Sequence, residues 1–152
     1  RGLVGSEMCI RDREYRLDIQ GYYSDDVRSR FPHSPGIYFV YRGVLDSAAN
    51  TCTLRQLLYI GQTEDLHQRH NEHSMRDEFL ETVGSDEMLF YTFSITDLPD
   101  EDRMRIEAAL IYELKPVLNS QNCYTFNYPP TRVVVEGNRH AFVPASIDAP
   151  SY

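Results

Sequence analysis

Glu107 is the first residue of this sequence that suggests chemistry, because it interrupts an apolar stripe on a helix. Residues 96–116 predict the longest helix of the chain, which begins with acidic residues and ends at Pro116. Since successive helix positions turn by about 100°, Glu107 falls in the middle of the stripe formed by Met104, Ala108, Ile111 and Leu114. A carboxylate on a core-facing stripe needs a cation or hydrogen bonds to compensate it, so the pattern favours either a bound metal or an arginine partner.

A second group of reactive side chains lies on a helix expected at residues 64–74. Arg69 and His73 are four positions apart and are therefore neighbours on its surface, and His70 shares their face. The charge of the arginine opposes a metal at His73, whereas the two side chains together suit an anion such as a phosphate. The alternative is a zinc site formed by His67, His70 and His73. Their spacing spreads them over too wide an arc, and no cysteine or carboxylate completes a tetrahedral set.

Two tyrosine–glycine triplets complete the set of candidates, Gly-Ile-Tyr at residues 36–38 and Tyr-Ile-Gly at residues 59–61. Each lies in a run of β-branched and aromatic residues that predicts a strand, and the short polar connection between the runs favours an antiparallel hairpin. Such a hairpin would bring Tyr38 and Tyr59 together. A glycine beside a strand tyrosine lets a ligand or another backbone approach closely. For either tyrosine alone, the alternative is a packing residue with a hydrogen-bonded hydroxyl.

The elements that must position these residues predict an α+β fold. Thr63 is the expected N-cap of the helix that carries Arg69. The fold class is a small three-stranded antiparallel or mixed sheet flanked by helices, and we allow for extra edge strands from both termini. The strands are expected at residues 14–19, 36–45, 52–62 and 88–95, with an edge strand at 131–137; the helices are expected at 64–74, 75–83 and 96–116, with a helical turn at 24–30.

The composition is that of a globular domain, with 41% hydrophobic residues and no apolar run that approaches the ~20 residues of a membrane helix. Cys9, Cys52 and Cys123 are scattered, which indicates neither a disulfide framework nor a cysteine zinc site and favours a cytoplasmic location. The net charge of −8 opposes nucleic-acid binding overall, but binding depends on where the charges lie. All basic residues except Lys115 are arginines, whose planar fork suits phosphate oxygens.

Three segments, PGIYFV (35–40), LLYIGQTEDLHQRHNEH (57–73) and IEAALIYELKPVLN (106–119), resemble the GIY-YIG nuclease superfamily. Five elements follow the family's order: the two triplets, an arginine ten residues after the second tyrosine, a glutamate on a later helix, and an asparagine twelve residues beyond it. The resemblance implies one nuclease domain at residues 14–128 with its core at 35–120. Residues 129–152 are then a C-terminal extension, and residues 1–13, which look like a translated sequencing-adapter fragment, are a non-native or disordered leader.

The resemblance implies a catalytic role for four of these side chains. Tyr38 and Tyr59 match the paired tyrosines that help to activate the attacking water. We assign Tyr38 as the base or its relay and Tyr59 as the residue that orients the water, with the reverse assignment left open. Arg69 matches the arginine that steadies the scissile phosphate. His73 matches a histidine that some members place four residues after that arginine.

The same resemblance implies a metal ligand and a substrate-binding set. Glu107 matches the only protein ligand of one divalent ion, Mg²⁺ or Mn²⁺, and Asn119 matches an asparagine that supports the site. Mg²⁺ keeps most of its waters and takes few protein ligands, so a single carboxylate suits it. The substrate-binding residues are expected to be Gly61, Gln62, Arg69 and His70.

The function implied is a divalent-metal-dependent endonuclease that hydrolyses DNA phosphodiester bonds. The alternative is a catalytically weak or inactive module of the same fold that binds nucleic acid or acts as a scaffold, because fold does not fix function. DNA is the expected partner and no membrane partner is expected. A protein partner that supplies DNA targeting is left open, as is the oligomeric state.

Overall fold

The computed structural model describes residues 11–151 and shows an α+β fold built on one mixed sheet of six strands. A 3₁₀ helix at Asp25–Arg30 connects the first two strands. The strands are β1 (Arg13–Ser24), β2 (Gly36–Asp46), β3 (Thr51–Thr63), β4 (Met88–Ile95), β5 (Thr131–Gly137) and β6 (Ser146–Ala149), and the helices are α1 (Leu66–Asn71), α2 (Arg76–Thr82) and α3 (Asp100–Leu114).

The sheet has the order β3-β2-β4-β1-β5-β6, and only the β1–β5 pair is parallel. The expected α+β class is confirmed, but the sheet has six strands and not the three that were expected. β1 lies inside the sheet, between β4 and β5, and β5 lies between β1 and β6, so neither is an edge strand. Strand β6 had no counterpart among the expected elements. The larger sheet arises because β1 pairs along its length with a strand more than a hundred residues later, from Arg13 opposite Thr131 to Ile19 opposite Gly137.

The β2–β3 hairpin is the part of the sheet that carries the two triplets, and it forms as expected. Tyr38 lies opposite Gly61, and Val40 lies opposite Tyr59. A Cβ at position 61 would collide with the Tyr38 ring, so the glycine makes the room in which this phenol lies across β3. At Gly36, a Cβ would meet Leu66 of α1 at 2.8 Å. Both glycines therefore allow close packing around Tyr38.

Apolar side chains cover both faces of the sheet and form two cores. Helix α3 packs on one face, against β3, β5 and β6, and this core includes Phe39, Ile60 and Ile106. The 3₁₀ helix, α1 and α2 cover the other face, over Tyr38 and Phe93. The second core is rich in aromatic rings, and two buried histidines lie among them.

The helices differ from expectation at their ends. Helix α1 begins after Asp65, whose carboxylate accepts the N–H of Gln68 at 3.0 Å, because the expected cap Thr63 still belongs to β3. The helix ends at Asn71, so His73 lies beyond it. On α3, the expected stripe is displaced, because Met104 is 45% exposed while residue 103 is buried.

Both ends of the described chain belong to the sheet. Arg13, expected in a leader, already pairs with Thr131, and the remainder of that expected leader, with Cys9, lies outside the described residues. Residues 131–149 of the expected extension supply β5 and β6. None of the helices within residues 11–151 has the length and apolar character needed to cross a membrane.

Candidate active site

The hydroxyl of Tyr38 is the centre of a small polar cluster at the end of the β2–β3 hairpin. Its oxygen lies 2.8 Å from His73 Nε2 and accepts a hydrogen bond from Arg69 Nε at 3.1 Å. The tyrosine is 1% exposed, and burial raises its pKa well above the usual value even though the charge of Arg69 opposes this effect. We call Tyr38, Arg69 and His73 the Tyr38 cluster.

The hydrogen bonds of His73 define its tautomer. The backbone N–H of Met75 donates to His73 Nδ1 at 3.0 Å, so Nδ1 carries a lone pair. Burial and the charge of Arg69 lower the pKa of His73 to about 3, so the ring is neutral at pH 7. Its proton is therefore on Nε2, which donates to Tyr38. The Tyr38 oxygen thus accepts hydrogen bonds from both Arg69 and His73.

Arg69 has no carboxylate partner among the described residues. Within residues 11–151, its guanidinium forms no ion pair, and its hydrogen-bond partners are the hydroxyls of Tyr38 and Tyr59. Seven other arginines pair with an aspartate or glutamate; they are Arg16, Arg28, Arg42, Arg55, Arg76, Arg103 and Arg132. A half-buried guanidinium without a counter-charge is suited to an incoming anion.

Tyr59 lies beside the Tyr38 cluster, as the hairpin predicts. Its ring stacks on that of Tyr38, with 6.3 Å between the centroids, and meets the edge of His73 at 5.3 Å. Burial and the charge of Glu107 raise the pKa of Tyr59, while the charge of Arg69 opposes them. The second tyrosine is thus close enough to the first to share its pocket.

The remaining site residues lie along the outer edge of β3, with which no other strand within residues 11–151 pairs. Asn119 accepts the N–H of Ile60 and donates to its carbonyl, both at 2.9 Å, and Leu118 donates its N–H to the carbonyl of Leu58 at 2.9 Å. Glu107 Oε2 accepts the N–H of Gln62 at 2.7 Å. Helix α3 and the segment after it therefore hold this strand edge, and Asn119 lies against it.

Burial of Glu107 makes it an unusual carboxylate. Burial raises its pKa to about 7, although the hydrogen bond from Gln62 and the charge of Arg69 act in the opposite direction. Its second oxygen, Oε1, has no hydrogen-bond partner among the described residues. A cation at Oε1 would offset the cost of burying the charge.

A single carboxylate suits a magnesium or manganese ion that takes few protein ligands, rather than a metal that protein side chains surround. No group of three histidine, cysteine, aspartate or glutamate side chains that could hold a metal exists within residues 11–151. A metal here would take Glu107 as its protein ligand and complete its shell with waters and substrate oxygens, as Mg²⁺ commonly does. The three histidines of the alternative zinc site have separate partners: Phe31 O for His67, Leu66 O for His70 and Tyr38 for His73.

His70, expected to bind substrate, lies behind Tyr38 rather than at the surface of the pocket. It is 2% exposed, and its ring meets those of Tyr38 at 4.9 Å and Tyr91 at 5.0 Å. Its Nδ1 donates to the carbonyl of Leu66, and its Nε2 has no hydrogen-bond partner within the described chain. Burial lowers its pKa to about 4, so it is a neutral packing residue at pH 7.

Arg103 is the site residue that the sequence did not predict. It lies one turn before Glu107 on α3, is 4% exposed, and donates from Nε to Gln62 Oε1 at 3.2 Å. Its other nitrogens bind the carbonyl of Leu98 and the carboxylate of Asp100. The spacing of four residues from Glu107 could have indicated that Arg103 lies on the same face of the helix. Its hydrogen bond to Gln62 could not be predicted in this way, because it depends on where Gln62 lies on β3.

The structure thus brings Tyr38, Tyr59, Gly61, Arg69 and His73 together, with Gln62, Glu107 and Asn119 along the adjacent strand edge. Comparisons with protein-family models, with curated proteins and with solved structures found no match for this chain.

Proposed function

We propose that this protein is a divalent-metal-dependent endonuclease of the GIY-YIG type that hydrolyses DNA phosphodiester bonds. The observation that carries the proposal is the hydrogen bonding of Tyr38, whose oxygen accepts from both Arg69 and neutral His73. Two donors aimed at one phenol oxygen favour its ionised form, which a base needs. The resemblance to DNA-cutting nucleases supplies the identity of the substrate.

Tyr38 acts as the general base in this proposal. As a phenolate it keeps the hydrogen bonds from Arg69 and His73 and has a further lone pair for the proton of the attacking water. Burial keeps Tyr38 protonated in the free protein, so it must first release its phenol proton to solvent, and positive charge that enters the site with metal and substrate would favour that release. Tyr59, stacked beside it, orients the water.

Arg69 and Glu107 handle the phosphate. The unpaired guanidinium of Arg69 binds a non-bridging oxygen and offsets the negative charge that develops on the phosphorane. A metal ion held by Glu107 would polarise the phosphate and stabilise the leaving 3′-oxygen. Asn119 and the N–H of Gln62 hold Glu107 and β3 in place for this arrangement.

A plasmid-nicking assay with and without Mg²⁺ tests the proposal. The wild-type protein should convert supercoiled DNA to open-circle or linear products only when Mg²⁺ or Mn²⁺ is present. Glu107→Gln keeps an acceptor for the Gln62 N–H but removes the charged ligand, and it should lose at least about a hundredfold in rate.

The matched control is Glu113→Gln. Glu113 lies on the same helix, where its carboxylate accepts the N–H of Ser151 at 3.0 Å rather than an N–H of β3. Its variant should nick DNA at the wild-type rate. Equal rates for wild type and Glu107→Gln, or absence of cleavage by the wild type on duplex, branched and single-stranded DNA, would reject the nuclease.

The second candidate is a non-catalytic module that binds nucleic acid or acts as a scaffold. The net charge of −8 and the pairing of seven arginines with acidic groups favour it, because they leave little free positive surface for phosphates. This candidate predicts DNA or protein binding that is unaffected by Glu107→Gln and no cleavage under any metal condition.

A further inference from the structure

Helix α3 holds Gln62 at two points, and these contacts determine which way its side chain faces. Glu107 binds its backbone N–H at 2.7 Å, and Arg103, one turn earlier on the helix, binds its side-chain oxygen at 3.2 Å. The two contacts together hold both the backbone and the side chain of Gln62. The orientation of the carboxamide follows from the chemistry of its partner.

Arginine has five N–H donors and no acceptor. Gln62 must therefore turn its Oε1 towards Arg103, and its Nε2 group faces away from the guanidinium. Both Nε2 hydrogens are without a partner among the described residues. They are the free donors of a side chain whose backbone is bonded to Glu107, the carboxylate at the centre of the proposed metal site.

Burial of Arg103 makes this orientation firm. The guanidinium is 4% exposed and is held from its other side by the carbonyl of Leu98 and by Asp100. A buried guanidinium with fixed partners can neither rotate away nor accept the amide in its flipped form. Burial of a charged guanidinium carries a desolvation penalty, and a pair of apolar side chains would connect the helix to the strand without that penalty. A purely structural role therefore does not explain why Arg103 is charged.

We propose that Arg103 is a positioning residue that fixes the Gln62 carboxamide so that Nε2–H donates to a non-bridging oxygen of the bound phosphate. The inference rests on the proposed nuclease function and adds to Arg69 a second phosphate donor, which lies beside Glu107. Gln62 is in direct contact with substrate, and Arg103 acts through Gln62.

Rates of DNA cleavage at single turnover in Mg²⁺ test the coupling between the two residues. Gln62→Met and Arg103→Met should each lower the rate about tenfold, in keeping with loss of one hydrogen bond to a charged group. The double variant should be within about twofold of Gln62→Met, because Arg103 has no effect once its target is absent. A double variant slower by about a hundredfold would show independent effects and would overturn the proposal.

Gln62→Glu separates positioning from anchoring. Its carboxylate still pairs with Arg103 and so keeps helix and strand connected, but it offers no N–H to a phosphate. We expect the wild-type melting temperature to within about 2 °C and a cleavage rate at least tenfold lower. Wild-type cleavage by Gln62→Glu would overturn the proposal. Arg105→Met is the matched control, because Arg105 binds Thr131 and the carbonyls of Pro129 and Pro130, and it should show no coupling to Gln62.

A binding measurement makes the inference independent of cleavage. In ¹⁵N spectra titrated with inorganic phosphate, the side-chain amide signals of Gln62, identified by their loss in Gln62→Glu, should shift together with the Nε–H signal of Arg69. A shift of Arg69 without Gln62, or of neither, would overturn the positioning role. A phosphate-dependent shift of Gln62 in a protein that cuts no DNA would reject the nuclease and retain the phosphate donor.

Discussion

Tyr38 on β2 and Tyr91 on β4 lie on the same face of the sheet, and each meets an arginine from the helices above. Tyr91 donates to Asp25 at 2.6 Å, and Arg76 pairs with both oxygens of that carboxylate at 2.8 and 2.7 Å. We call Tyr91, Arg76 and Asp25 the Tyr91 cluster. It contains its own counter-charge, whereas no carboxylate pairs with Arg69 among the described residues.

The difference shows what separates a structural cluster from a binding pocket with nearly the same residues. Burial raises the pKa of both tyrosines. The Tyr91 phenol donates to the Asp25 carboxylate, which Arg76 already neutralises. The Tyr38 phenol oxygen instead accepts from two donors, Arg69 and His73. In the Tyr91 cluster the arginine is paired with a carboxylate. In the Tyr38 cluster the charge of Arg69 has no carboxylate partner among the described residues, which suits the anion that we propose it binds.

Removal of each hydroxyl is expected to give the largest contrast. Tyr38→Phe should lower the DNA-cleavage rate about a thousandfold through loss of the base, whereas Tyr91→Phe should cleave as the wild type does. Both variants lose a buried hydrogen-bonding group and should unfold about 1 kcal/mol more easily. Cleavage assays and urea unfolding of the two proteins measure this contrast, and comparable activity of the two would remove the distinction between the clusters.

Substitution of Arg69 should mainly lower activity, whereas substitution of Arg76 should mainly lower stability. Arg69→Met should reduce cleavage about a hundredfold, as expected for loss of one transition-state donor, and change the free energy of unfolding by less than about 1 kcal/mol. Arg76→Met leaves Asp25 with fewer compensating charges and should cost about 2 kcal/mol of stability with little effect on rate. If Arg76→Met instead lost activity at temperatures where it remains folded, the Tyr91 cluster would have to be counted as part of the site.

The acidic residues of the two regions should affect stability in opposite directions with pH. Burial raises the pKa of Glu107 from its usual 4.5 to about 7, so its charged form destabilises the fold. This cost is absent below about pH 4.5, grows between pH 4.5 and 7 and is complete above about pH 7. Each unit of that rise is worth about 1.4 kcal/mol, so Glu107→Gln should be about 3 kcal/mol more stable than wild type at pH 8 and close to it near pH 4.5.

Asp25 has the reverse sign. Burial opposes its ionisation, but hydrogen bonds from Arg76 and Tyr91 outweigh burial and lower its pKa below the usual 3.8. Its stabilising contribution is complete above that value and is lost as the pH falls through the lower pKa of the folded state. Urea unfolding of wild type, Glu107→Gln and Asp25→Asn between pH 3 and 8 checks both signs; a gain in stability of Glu107→Gln that persists at pH 4.5 would contradict the assignment.

The smallest contrast concerns the two buried histidines, which lie on either side of Tyr38. His73→Leu removes one donor from the Tyr38 oxygen and should slow cleavage about tenfold, while His73→Gln, which can still donate, should recover part of the rate. His70→Leu removes a ring whose Nε2 has no partner in the described chain and should cleave at the wild-type rate. The steady-state rates of the three variants decide whether Tyr38 needs its second donor.

The hairpin and its tyrosines could be predicted from the sequence because the information is local. Alternation, glycines and a short polar connection fix β2 and β3, and the facing positions of Tyr38 and Gly61 follow from the strand ends. The face shared by Arg69 and His73 was also predictable from helical spacing, although α1 ends before His73.

The rest of the sheet was not predictable in the same way, because its pairing is remote along the chain. The sequence around Thr131 indicates a strand but does not identify β1 as its partner, so an interior strand was taken for an edge. The contact of Arg103 with Gln62 depends on how α3 lies against β3. The raised pKa of Glu107 likewise depends on tertiary burial, which spacing alone does not give.

The contacts on the outer edge of β3 have one more consequence. An uncovered strand edge offers its N–H and C=O groups to any other chain, and edges of this kind promote aggregation. Between Leu58 and Gln62 those groups are bonded to Leu118, Asn119 and Glu107. The same few residues that hold the candidate site in shape therefore also close this stretch of the sheet to pairing with another chain.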